Sequence, residues 1–131
     1  MPSTLVEVRH AYTQAEEIAL IDAVHQAVVE GFKIPQHDRN VRLVVHAPHR
    51  FLSSSDLKQP ERFTVISIDA FAGRSIDAKR NLYRAIVQRL EPLGIPGDHV
   101  TILVRDLPRE SWGIHGGRAA SDIEMDFKID V

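Results

Sequence analysis

The sequence predicts an α/β chain of the α+β kind. A β-α-β unit is used twice to give a four-stranded sheet with both helices on one face, and a C-terminal hairpin and strand follow. Three observations predict this. Apolar residues pass from a period of two to helical spacing and back, in the order strand, helix, strand, and then do so again. An offset of 62 residues places Val6 on Ile68, Leu20 on Leu82, Val24 on Ile86 and Val28 on Leu90; with one residue deleted, Ile34-Pro35 falls on Ile95-Pro96. That repeated Ile-Pro favours duplication over chance likeness between two such units. Finally, right-handed crossovers used twice in one sheet put both helices on the same side. The 131 residues make one domain, with repeat units at about 2–47 and 63–104.

Each element has a local reason. Thr4, Val6 and Val8 alternate with Leu5, Glu7 and Arg9 in a first strand. Thr13 and Glu16 have capping-box spacing and open a helix, whose buried stripe is Ile18, Ile21, Val24 and Val28 flanked by Leu20 and Ala27. Gly31 is placed to stop it, and Ile34-Pro35 leads into a loop. Val41 to Ala47 reads as a second strand, ended by Pro48. From Phe63, Val65, Ile66 and Ile68 form a strand that is apolar on both faces, as a central strand is. Ser75 caps a second helix carrying Leu82, Ile86 and Leu90; Leu93-Gly94 closes it, and Val100 to Val104 is the fourth strand.

One sheet face is left without a helix. From 121 to 131, Ile123, Met125, Phe127, Ile129 and Val131 alternate strictly with Asp122, Glu124, Asp126, Lys128 and Asp130. Unpaired, such a strand is an aggregation hazard. It is expected to pair with a neighbouring subunit and make the protein an oligomer; folding back on its own sheet is the other use of the same pattern.

Composition bounds the function. Hydrophobic residues at 44% and charged residues at 26% describe a globular chain. Sixteen basic against eighteen acidic residues leave a charge of −2, without the basic excess of a nucleic-acid binder. With no cysteine, thiol nucleophiles, disulfides and Cys-based zinc sites are excluded. No apolar run approaches a membrane span, and the start has no basic region or apolar signal core, so a cytoplasmic protein is expected.

The residues that can carry chemistry are few. Removal of the initiator methionine would expose Pro2 as a secondary amine, able to act as base, acid or iminium-forming nucleophile, although many chains begin Met-Pro without catalysis. Asp38, in Pro35-Gln36-His37-Asp38-Arg39, either orients water and holds that amine cationic or is a solvated partner of Arg39. Arg74 lies between a strand end and a helix start, where open sheets bind anions; it either grips a carboxylate bidentately or lies over the surface. Trp112 opens Trp-Gly-Ile-His-Gly-Gly-Arg, a turn that can wall a small pocket or simply form a hairpin. Seven histidines raise the question of a metal, but His46 and His49 bracket Ala47-Pro48, which is incompatible with a helical zinc motif, and no metal is expected. His25 reads as a half-buried helix residue rather than a base.

Pro2, the doubled βαβ unit and Arg74 at the head of the second helix together resemble the tautomerase superfamily, in particular its malonate semialdehyde decarboxylase family. The resemblance spans nearly the whole chain. It implies a cofactor-independent homotrimer acting on a small oxo acid by decarboxylation or keto–enol tautomerisation. Pro2, freed by methionine loss, would be the acid/base and Asp38 its catalytic partner. Arg74 would bind the substrate carboxylate, aided by Arg39, and Trp112 would form the hydrophobic wall. The decarboxylase pattern has a second arginine two residues beyond the first, where this chain has Ile76; Arg39, Arg42 and Arg118 are the candidates to replace it. A hydratase or dehalogenase of an unsaturated acid, and a non-catalytic trimeric binding module on the same scaffold, are the alternatives.

Overall fold

The computed structural model describes residues 2–131. Met1, whose removal the amine chemistry requires, lies outside them. The chain forms β1 (Ser3–Val8), α1 (Gln14–Phe32), β2 (Val41–Val45), β3 (Thr64–Phe71), α2 (Ile76–Leu90), β4 (Val100–Leu107) and a small hairpin of β5 (Gly113–Ile114) and β6 (Arg118–Ala119). The main sheet has the order β2-β1-β3-β4, parallel within each pair and antiparallel between β1 and β3.

The registers carry the offset visible in the sequence. Leu5 of β1 faces Ser67 of β3, its own equivalent 62 positions on, so a local two-fold axis passes through this pair. Thr4 pairs with Val41, and Ile66 with Ile102, equivalents at offsets of 62 and 61. Thr4, Val6 and Val8 with Thr64, Ile66, Ile68 and Ala70 face the helices and are buried. Leu20, Val24, Val28 and Phe32 of α1 and Leu82, Ile86 and Leu90 of α2 complete the core.

Both helix starts are built as their residues require. Thr13 Oγ1 accepts from the Glu16 amide while Glu16 returns a bond to the Thr13 amide, and Ser75 Oγ accepts from the Ala78 amide. The stop of α1 differs from expectation. Gly31 is helical, and the helix ends at Lys33, left-handed at φ 56°. Gly31 serves packing instead: a Cβ there would stand 2.7 Å from Leu82 Cα, so its missing side chain lets the two helices touch. Ile18 was expected in the buried stripe but is 61% exposed, because the stripe turns toward Leu20 and Ala27 at this end. β2 stops at Val45, where Ala47-Pro48 enters a short 3-10 turn, and β4 runs on to Leu107.

The terminal segment expected to pair with a neighbouring subunit is seen here in one chain, where it packs on its own fold. Within the single chain, 123–131 pairs with no strand. It runs extended after a 3-10 turn at Ala120–Asp122, and its odd-numbered apolar residues are half-buried while its even-numbered charged ones are exposed. Phe127 and Val131 pack on the core, Val131 O accepts from the Ser75 amide, and Ile129 lies against Gly73. The period of two reports a tail with one face on protein, which needs no ladder. Among the described residues, no helix is long and apolar enough to cross a membrane.

Candidate active site

Three segments converge at one end of the sheet: the start of β1, the turn between α1 and β2, and the turn between β3 and α2. Parallel pairing of β1 with β2 brings the turn after α1 back to the beginning of the chain. The Thr4 amide bonds Asn40 O at 2.9 Å, which brings Asp38 and Asn40 to the start of β1 beside Pro2. Pro2 is buried and lines a narrow crevice with Thr4, His25, Ile34, Asp38 and Asn40. Asp38 also lines a groove of about 450 Å³ on its other side.

Arg74 follows Gly73, whose φ of 132° favours glycine, and is 6% exposed. Its Nη1 donates to Phe71 O at 3.2 Å and its guanidinium carbon stands 4.7 Å from the Phe32 ring centroid. Nε and Nη2 are buried with no protein partner. Burial lowers its pKa from 12.5 to about 10, against the pull of Asp106 and Asp38, which favour the cation. The result is a cation held out of water with two free donors, sensing the Asp38 charge. That is the state of an arginine prepared for a carboxylate.

Pro2 and Asp38 share a crevice, and the Asp38 charge favours the cationic form of Arg74. Arg39 is exposed and lines the groove rather than the crevice. Trp112 departs from expectation. It meets Phe71 edge-on at 5.1 Å, with its Nε1 buried and unpartnered, and stands behind the strand end rather than in the groove wall. The groove's apolar wall is Ile114, Met125 and Phe127, with His37 and His115 at its rim. The tail's alternation signalled Met125 and Phe127, and the Trp112–Arg118 turn signalled Ile114, but neither said which surface they face. Ile76 is 57% exposed at the start of α2. Of the substitutes for a second arginine, Arg42 bonds Ser3 Oγ and Asn40 Oδ1 next to Pro2, while Arg118 bonds Asp122 O. His25 is buried rather than half-buried, and donates through Nε2 to Gln36 O at 2.9 Å.

The other histidines have different partners: His46 bonds Glu7 at 2.9 Å, His10 stacks edge-on against Tyr12, and His99 bonds Asp98. Among the described residues, no three His, Cys, Asp or Glu side chains are placed to hold a metal ion.

Known proteins share this fold. A family model described as tautomerase enzyme matches residues 38–115. A probable tautomerase, YrdN, of Bacillus subtilis (strain 168) is 25% identical over 124 residues, covering 91% of this chain and 95% of that one. Among solved structures, the FG41 malonate semialdehyde decarboxylase inhibited by 3-bromopropiolate is 27% identical, with a TM-score of 0.77 over 94% of this chain and 98% of its own. A fused 4-OT, Q0, solved as a wild-type symmetric trimer, is 25% identical, with a TM-score of 0.79 over 90% of this chain and 95% of its own.

Proposed function

This chain belongs to the tautomerase enzyme family, and from that premise we propose that it acts without a cofactor on a small oxo acid, by decarboxylation or keto–enol tautomerisation. The observation that carries the reading is Arg74: a buried guanidinium with two unpartnered donors, coupled to the aspartate that lines the Pro2 crevice. Buried donors without partners are costly, and a substrate carboxylate satisfies both at once.

In this reading methionine removal leaves Pro2 as a secondary amine. Burial and Arg74 favour its neutral form, whereas Asp38 favours the cation. The cation suits decarboxylation. Arg74 holds the carboxylate of a 3-oxo acid while the prolinium N–H donates to the 3-oxo oxygen. The carbon–carbon bond breaks, its electrons pass to that oxygen as an enolate, and carbon dioxide leaves. The enolate carbon takes the prolinium proton, and solvent restores it. The neutral amine suits tautomerisation, taking a proton from carbon and returning it elsewhere on the enol. Ile114, Met125 and Phe127 form the apolar wall that keeps the substrate chain small and partly dry.

The same reading makes the protein a homotrimer, like the symmetric 4-OT assembly it resembles. The helix-free sheet face exposes Val44 at 40% and Leu103 at 48%, between the charges of Glu7, Asp69 and Arg105, a mixed surface suited to a second copy.

The test is intact mass and peptide mapping after incubation of the Met1-processed protein with 3-bromopropiolate. The expected result is one adduct on Pro2, absent from Arg74→Ala, followed by turnover in a screen of 2-oxo and 3-oxo acids. Processed protein that stays unmodified and turns over no oxo acid sinks the catalytic reading and leaves a binding module.

A further inference from the structure

We propose that His25 is a positioning residue, holding the Pro35–Arg39 turn so that Asp38 stays against Pro2. The inference rests on the role given to Asp38 above. Within the turn the Asp38 amide reaches Pro35 O at 3.1 Å and the Arg39 amide reaches His37 O at 2.9 Å. The Thr4 amide holds the chain just beyond the turn at Asn40 O, and Gln36 ties the turn to α1. The Gln36 side-chain amide exchanges two bonds with Gln26, at 2.7 and 3.1 Å, in an exposed setting where water competes. The Gln36 carbonyl takes the third bond, 2.9 Å from His25 Nε2. A carbonyl only accepts, so Nε2 carries the hydrogen. His25 is 6% exposed, and its ring lines the crevice together with Pro2, Asp38 and Asn40. One imidazole therefore ties α1 to the turn and at the same time forms a wall of the crevice that the turn must close.

The internal repeat gives an independent comparison. At the 62-residue offset, His25 corresponds to Val87, and at the offset of 61 that follows Ile-Pro, Asp38 corresponds to His99. Where no carboxylate has to be presented, this helix position is filled by an aliphatic residue. Packing alone therefore does not require histidine at this face.

The experiment compares the full-length, Met1-processed wild type with His25→Leu, which keeps apolar volume and loses the donor. His25→Gln restores a donor, and Gln26→Leu removes only the exposed amide pair. Amide hydrogen exchange is read across the chain, and the Pro2 amine is titrated through its ¹⁵N chemical shift. For His25→Leu, exchange at Asp38 and Arg39 is expected to rise about tenfold with the α1 interior unchanged. The Pro2 midpoint should fall by about half to one pH unit as Asp38 loosens. His25→Gln should restore both, and Gln26→Leu should fall well short of His25→Leu in both.

Unchanged exchange at Asp38 and Arg39 overturns the proposal, as does loosening spread through α1, or an effect of Gln26→Leu equal to that of His25→Leu. A Pro2 midpoint that falls in Asp38→Asn but not in His25→Leu also overturns it. If Asp38→Asn leaves the Pro2 midpoint in place, the reading of the site fails instead, and the exchange profile alone decides whether His25 holds the turn.

Discussion

Replacing Arg74 by methionine should abolish turnover and make the protein more stable. The drop in its pKa from 12.5 to about 10 means that the folded state disfavours the charged side chain by about 3 kcal/mol relative to water. Methionine removes that cost, removes the two unpartnered donors, and buries apolar volume worth about 2 kcal/mol. Against this stand the bond to Phe71 O, about 2 kcal/mol for a charged donor, and the contact with the Phe32 ring, about 1 kcal/mol. The balance favours Arg74→Met by about 2 kcal/mol, or about 6 °C in thermal midpoint.

The sign follows from the direction of the shift. A base whose folded pKa is depressed penalises folding wherever it is charged. The variant's advantage is therefore level below about pH 10 and shrinks as pH rises from there toward 12.5. Urea unfolding of both proteins at pH 7 and at pH 10.5, with oxo-acid turnover measured alongside, checks each part. A variant less stable than wild type at pH 7, or one that keeps turnover, would refute the view of Arg74 as a strained, substrate-directed cation.

Other consequences can be measured in the same way. Gly31→Ala brings a methyl group to 2.7 Å from Leu82 Cα, and should cost about 1–3 kcal/mol in urea unfolding despite alanine's better helix propensity. Ser75→Ala removes the cap on the Ala78 amide and should cost about 1 kcal/mol, with a larger rise in KM than fall in kcat because Arg74 is the adjacent residue. Glu16, held below its ordinary 4.5 by its bonds with Thr13, contributes stability that is present above that value and lost as pH falls through its folded pKa; wild type and Glu16→Gln should therefore differ at pH 7 and converge in acid unfolding. Pro2→Ala should lose turnover while light scattering reports an unchanged assembly, which separates an enzyme from a binding module.

The repeat, both helix caps and the strand periods were legible in the sequence because each is a local rule. Thr13 with Glu16, and Ser75 with the Ala78 amide, satisfy their own helix ends wherever the helix lies. Pro2, Asp38 and Arg74 were legible as candidates because each stands at a strand or helix end, where sheet topology gathers groups. Burial and partnership were decided only in three dimensions. A glycine that stops a helix and one that admits a neighbouring helix look alike along a chain, and at Gly31 the position of Leu82 made the difference. Trp112 faces Phe71 while Ile114 and Phe127 line the groove, since side-chain direction follows from the packing of the hairpin and tail. The strict alternation from Ile123 to Val131 fixed which residues touch protein, but whether their backbone joins a ladder depends on a strand edge elsewhere in the fold. Spacing likewise carried no trace of the two bare donors on Arg74, because an unpaired buried charge exists only once the rest of the chain has closed around it.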